Sequence, residues 1–212
     1  MNIGIIGSGE VARTLAGGFI KYGYKVMIGT GHPEKLSGWL KENPDCLSGS
    51  FSQAAVFAEL AVLAVKGTAA AEAIQLAGPE NLRGKTVMDV TNPIDDLPPE
   101  SGVLRFFTDL DESLLEILQN QYPGIHFVKA FNSVGSGTMI NPEFPEGRPS
   151  MFICGNHEGS REIVAEIAEQ FGWEAEDMGD APAARAIEPL CMLWCIPGML
   201  SNDWRHAFKM LR

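Results

Sequence analysis

Gly7-Ser8-Gly9-Glu10-Val11-Ala12 follows directly on the apolar run Asn2-Ile3-Gly4-Ile5-Ile6, and the reading of this junction decides the fold. Asn2 to Gly7 is too short for a helix, rich in isoleucine and closed by glycine, which describes a buried strand. From Glu10 to Tyr22, the residues Val11, Leu15, Phe19 and Ile20 recur at spacings that mark one face of a helix. Tyr24 to Gly29 then supplies a second strand. A strand, a glycine-rich turn, a helix and a second strand together meet the needs of a dinucleotide pyrophosphate. One glycine makes the tight turn, another lets the backbone approach the phosphates, and a third small residue lets the helix sit close to the sheet. Gly7, Gly9 and Ala12 occupy those positions, and the helix opens with unpaired N–H groups and the positive end of its dipole. Gly17 and Gly18 inside the helix each cost about 1 kcal/mol relative to alanine, which close packing can offset. A ligand-free βα turn is the plainer reading of the six residues alone; their context favours a cofactor.

The same alternation continues outward. Pro33 to Glu42 reads as a helix with proline in its first turn. A weak strand at Leu47 to Phe51 and a helix at Ser52 to Glu59 come next. Leu60 to Val65 and Thr86 to Val90 are clear strands separated by the alanine-rich helix Thr68 to Ala77. Asp111 to Tyr122 is helical and His126 to Phe131 is a further strand. Beyond Pro142, Pro145 and Pro149 come an edge or returning strand at Met151 to Cys154, an amphipathic helix from Ser160 to Phe171, a weak strand from Glu174 to Met178, and a mainly helical remainder to Arg212. This predicts an α/β, doubly wound, mostly parallel sheet of Rossmann type with a small C-terminal helical extension. Residues 1–150 would form the dinucleotide-binding core, and 151–212 the extension packed on the same domain.

With 212 residues, 45% of them hydrophobic, the chain can bury a sizeable core without disulfide staples. Its net charge of -11 argues against nucleic acid, although a few local donors suffice for one pyrophosphate. No stretch approaches the roughly 18 to 20 apolar residues of a membrane crossing, and the start at Asn2-Ile3 shows no basic n-region or small-residue cleavage site. Cys46, Cys154, Cys191 and Cys195 stand among apolar residues, which suits a cytoplasmic protein.

Sheets of this kind bind ligands beyond the carboxyl ends of their strands. An NAD-type site carries Asp or Glu at the second strand end, roughly 20 residues after the loop. Here the sequence is Gly29-Thr30-Gly31-His32, and Thr30, His32 and Lys35 can donate to a 2′-phosphate, which favours NADP; a plain polar turn capping the Pro33 helix is compatible with that. Three more strand ends carry polar groups: Val65-Lys66-Gly67, Thr91-Asn92-Pro93 and Ala130-Phe131-Asn132-Ser133. No catalytic constellation and no metal site stand out. The four histidines are far apart, Cys191 and Cys195 read as small hydrophobes, and Gly135-Ser136-Gly137 lacks the G-x-S-x-G spacing. Hydride transfer between two stacked rings needs alignment more than an acid or base. Two rival readings stay open: a non-catalytic NADP-sensing module that binds a protein partner, and a dehydrogenase of a small carbonyl or imine polarised by Lys66 or Asn92.

Taken together, Ile5-Ile6-Gly7-Ser8-Gly9, Val26-Met27-Ile28-Gly29-Thr30, Asp89-Val90-Thr91-Asn92-Pro93, Val128-Lys129-Ala130-Phe131-Asn132-Ser133, Ala186-Ile187-Glu188-Pro189-Leu190 and Trp204-Arg205-His206-Ala207-Phe208-Lys209 resemble the deazaflavin-dependent NADP oxidoreductase family over nearly the whole chain. The cytosolic reductase domains of membrane metalloreductases are similar too. The resemblance implies NADP along the sheet edge, with Ser8, Gly9, Glu10 and Val11 at the pyrophosphate, Thr30 and His32 at the 2′-phosphate, and Val65, Lys66 and Ala130 beside the nicotinamide. It also implies direct hydride transfer to a small-molecule ring acceptor. Two positions depart from the family: Gly31 stands where arginine is common, and Lys66-Gly67 replaces a proline and aromatic pair. The acceptor is therefore left open between deazaflavin, flavin and quinone. Near the C-terminus, Leu190, Leu193 and Trp194 form a stripe that is core, pocket wall or dimer contact. Trp204, Phe208 and Leu211, spaced i, i+4, i+7, are expected to pack on the body or on a second subunit, and a homodimer is expected.

Overall fold

In the computed structural model, which describes residues 1–212, the opening run is strand β1 (Asn2–Ile6) and the glycine turn leads into helix α1 (Glu10–Lys21). β2 (Lys25–Gly29), β3 (Cys46–Gly49), β4 (Leu60–Leu63), β5 (Thr86–Asp89) and β6 (His126–Lys129) complete a six-stranded, wholly parallel sheet in the order β3-β2-β1-β4-β5-β6. The order reverses between β1 and β4, and the crevice outside the strand ends there is where such sheets take ligands. The connections are α2 (Ser37–Glu42), α3 (Phe51–Phe57), α4 (Ala70–Ala77), α5 (Pro79–Leu82) and α6 (Leu114–Gln121). Side chains alternate across β1: Ile3 and Ile5 join Leu15 and Phe19 on one face, and Ile6 joins Ala55, Ile74 and Leu118 on the other. The second face is approached very closely, since a Cβ on Gly4 would lie 2.1 Å from the carbonyl oxygen of Ala54 in α3.

Past β6, strand β7 (Ser150–Ile153), helix α7 (Glu158–Gln170) and strand β8 (Glu174–Asp177) form a second, two-stranded parallel sheet, joined to β6 by an antiparallel bridge between Lys129 and Cys154. Val164, Ile167, Phe171 and Trp173 of this part lie in the same core cluster as Ile3 and Ile5. α8 (Ala184–Ser201) follows, burying Ile187, Glu188, Cys191, Trp194 and Gly198.

Several expectations need correction. Pro33–Leu36 is a 3-10 turn before the short α2, and the helix expected from Asp111 begins only at Leu114, where Ser113 and Glu116 cap each other. The chain is not helical to Arg212. Asn202 adopts a left-handed conformation (φ 58°) that ends α8, and the tail then runs beside β7, where Ser150 N–H donates to Phe208 O at 2.9 Å. Trp204, Phe208 and Leu211 therefore share no helical face: the Trp204 ring covers Gly198 and tilts against Trp194, and Leu211 is 85% exposed. A segment of membrane-crossing length and composition does exist, contrary to expectation: Ala181–Ser201, 21 residues of mean hydropathy 1.2. Its proline-interrupted run of apolar residues hid it, and its buried face carries a charge.

That charge belongs to a network sealed in the core. Lys129 Nζ lies 2.7 Å from Asp89 Oδ2 and 2.9 Å from Glu188 Oε1, and donates to Thr91 O at 2.8 Å. Asp89 Oδ1 accepts the Thr91 N–H and hydroxyl, and Glu188 accepts the N–H groups of Leu114 and Leu115 at the start of α6. One ammonium faces two carboxylates, and the positive end of α6 offsets the surplus negative charge. Burial disfavours the charged ammonium, but the two carboxylates outweigh it and hold Lys129 above the ordinary lysine range. Removing the ammonium leaves two uncompensated buried carboxylates, so Lys129→Met should cost about 3–5 kcal/mol in urea unfolding; a loss below about 1 kcal/mol would contradict this role. Beside it, Arg185 donates to Glu116 and draws that carboxyl from 4.5 down to about 2. A depressed carboxyl contributes stability above its unfolded value that is lost as pH falls through the folded one. The thermal midpoint should therefore drop between about pH 4.5 and pH 2, and Glu116→Gln should flatten that part of the profile.

Candidate cofactor site at the strand ends

Gly7 sits at φ +128°, and a Cβ there would lie 2.1 Å from Ala64 O, so the fold itself demands glycine. Gly9 is different. It caps α1 at φ -69° and ψ -173°, an ordinary conformation, without a side-chain cap, and a Cβ on it would meet nothing within 4 Å. Nothing in the protein requires glycine there, whereas a pyrophosphate lying against the loop would. The first-turn N–H groups of α1 have no intrahelical acceptor and open onto the same space. Ala12 is fully buried and packs the helix onto the sheet. This loop fits a dinucleotide. Glu10 accepts a hydrogen bond from the Ser136 hydroxyl at 2.5 Å, and Val11 packs against the core.

At the end of β2, Thr30 is 6% exposed; its hydroxyl accepts the His32 N–H at 3.0 Å and pairs with the Ser8 hydroxyl at 2.8 Å. Thr30 thus ties the strand end to the glycine loop. His32 and Lys35 are exposed; the His32 side chain caps no helix and lies 3.4 Å from Glu34.

Val65, Lys66, Gly67, Thr91 and Asn92 line a cavity of about 400 Å³ over β4 and β5. Lys66 pairs with Asp96 across its rim at 3.2 Å, both side chains being well exposed. Gly67 presses on Asn92, since a Cβ there would lie 2.0 Å from the Asn92 carbonyl oxygen. Asn92 Nδ2 donates to Asn132 O, and Asn132 Nδ2 donates to Asn92 Oδ1 and to Ile187 O in α8. Between the two expected residues Ala130 and Asn132, Phe131 is held at φ 54°, a backbone strain of the sort that gathers at functional sites. Ala130 is sealed in the core with its N–H donating to Asp89 O, Pro93 is buried, and neither lines that cavity.

The structure thus brings Gly7, Ser8, Gly9, Glu10, Val11 and Thr30 into one loop region and Val65, Lys66, Asn92 and Asn132 into a second. In the sequence, Ser136 stood out only as lacking a nucleophile spacing and Lys129 only as part of a family-like segment; the contact of the one with Glu10 and the network of the other were missed. A lysine inside the apolar strand Phe127-Val128-Lys129-Ala130 was the available signal, because buried lysine demands paired carboxylates.

The sequence pattern of the coenzyme F420-dependent NADP oxidoreductases matches residues 2–93. An Arthrobacter sp. FB24 protein, provisionally named an F420-dependent NADP-reductase, is 32% identical, with a TM-score of 0.93 and full coverage of both chains. Metalloreductase STEAP3 of Rattus norvegicus is 29% identical over 205 residues, which cover 94% of this chain and 39% of that protein. The chain thus spans about two fifths of the length of this curated relative. A Streptomyces aurantiacus imine reductase shares the fold, with a TM-score of 0.71 and 15% identity over 95% of this chain and 64% of that one.

Gly9→Ala should keep the parent's thermal midpoint and weaken NADPH binding about tenfold or more in a fluorescence titration, because the added methyl fills only ligand space. Gly7→Ala should instead lower the midpoint sharply. Unchanged NADPH affinity in Gly9→Ala would remove this loop from the cofactor site.

Proposed function

The chain belongs to the coenzyme F420-dependent NADP oxidoreductase family, and on that premise we propose that it moves a hydride between NADP(H) and a planar redox acceptor of deazaflavin or flavin type. The observation that carries this reading is the state of the groups able to move a proton near the strand ends. Asp89, Lys129 and Glu188 are locked to one another in the core, and Lys66 and Asp96 face solvent as a pair. What the strand ends offer is alignment, and alignment is what ring-to-ring transfer needs.

NADP(H), when bound, supplies or takes the hydride. The protein's own part is to hold it. The N–H groups of the Gly7–Val11 loop meet the pyrophosphate, and His32 and Lys35 border the adenosine end. Val65, Lys66 and Asn92 form one wall at the nicotinamide end, with Asn132 fixing the Asn92 amide. The kinship with metalloreductases supports including a ferric chelate among the acceptors to be tried.

NADPH oxidation followed at the nicotinamide absorbance band, with deazaflavin, flavin, quinone and ferric-chelate acceptors, is expected to show turnover with a ring acceptor. No turnover with any of them would overturn the proposal. In Lys66→Ala the loss should fall on KM; a fall in kcat of about 100-fold or more would mark Lys66 as a proton donor and favour a carbonyl or imine substrate.

A further inference from the structure

α1 has one core face, made by Ala12, Leu15, Ala16 and Phe19. One flank of it meets the C-terminal part, for a Cβ on Gly18 would lie 2.4 Å from Ile140 Cδ1 and 3.4 Å from Phe171. With 3.6 residues per turn, Arg13 falls on the opposite flank together with Gly9 and Ile20. That flank looks toward β2 and the Pro33–Glu42 segment, where Trp39 and Leu40 pack on the same core cluster as Ile20. Arg13 therefore stands one turn inside the glycine loop, on the side where β2 ends in Thr30 and the exposed His32.

Arg13 is also half-buried and makes no hydrogen bond or ion pair. Arg105, Arg148, Arg161, Arg185, Arg205 and Arg212 each hold a carboxylate or a carbonyl, and the remaining arginine, Arg83, is exposed. Its own helix gives it no partner: Glu10, three residues earlier, is engaged by Ser136, and Gly17, four residues later, has no side chain. The Arg13 guanidinium is not among the polar groups sealed from water without a partner, so it is open to solvent. A half-buried cation without a carboxylate is poised for an anion brought from outside, and a planar guanidinium suits a phosphate monoester.

We propose that Arg13, not Thr30, supplies the charge that recognises the 2′-phosphate of NADP(H), and so determines cofactor choice in a chain that has Gly31 just beyond the end of β2. Thr30 orders the loop, His32 lies beside the phosphate, and Arg13 reaches it from α1. The inference rests on the NADP reading above.

The test is a fluorescence titration of the whole chain with NADPH, NADH and 2′,5′-ADP, with thermal unfolding of each variant alongside. The parent should prefer NADPH; if it prefers NADH, the cofactor reading itself fails. Arg13→Gln should weaken NADPH and 2′,5′-ADP about tenfold or more while NADH changes less than about twofold, and Arg13→Lys should restore part of the preference. If Arg13→Gln binds both cofactors with the parent's preference, Arg13 does not touch the 2′-phosphate, though NADP binding stands. Equal weakening of NADPH and NADH would show a structural role and overturn the proposal as well.

Discussion

An ammonium group enclosed within a sheet is tolerable only if carboxylates surround it and every remaining hydrogen bond is made. Lys129 meets that condition by drawing on four separate parts of the chain: Asp89 and Thr91 from the end of β5, its own strand β6, and Glu188 from α8, which in turn holds the start of α6. No one of these parts can shift without leaving a charge unpaired. The ends of β5 and β6 are fixed relative to each other as a result, and directly above them lie Asn92 and Asn132, whose amides bind one another. The rigidity of the reaction end is thus set by electrostatics one layer below it.

A second line of contact joins α8 to the phosphate loop. The Trp194 ring presses on Gly135, where a Cβ would lie 2.6 Å from it, and so places the turn that carries Ser136. Ser136 then holds Glu10 at the mouth of the loop. Trp194 is itself clamped by the tail, donating from Nε1 to His206 O while His206 Nε2 bonds to Trp194 O. The C-terminal part acts on both ends of the site through packing and hydrogen bonds, without placing a charged group of its own there.

The legible part of the sequence was the part whose determinants are local. Residues 2–29 declare strand, turn, helix and strand by spacing alone, and the structure follows them within a residue or two. The capping pair Ser113 and Glu116 sits three residues apart and was a local signal for the start of α6 at Leu114, although the helix was read from Asp111. The pairing of Thr30 with Ser8 was not readable, because the two hydroxyls stand 22 residues apart and no local pattern says that they meet. The helical spacing of Trp204, Phe208 and Leu211 was real but lost to tertiary contacts, since the tail gains the Trp194–His206 bonds and the Ser150 backbone only by being extended. Arg13 escaped notice because its meaning lies in the lack of a partner.

The position of Glu188 also bears on the order in which the chain closes. It meets Leu114 across 74 residues, farther along the chain than any strand pairing of the six-stranded sheet, the farthest of which joins Ile3 to Leu60. Such contacts are made late, after the more local strand pairings have formed. Asp89 alone already balances Lys129 one to one, so the parallel sheet can be completed and electrically neutral before α8 arrives. Until then the N–H groups of Leu114 and Leu115 remain hydrated and the apolar length of α8 stays in water. The apolar length of α8 is the surface left exposed, and open to association, whenever the sheet closes before this helix docks.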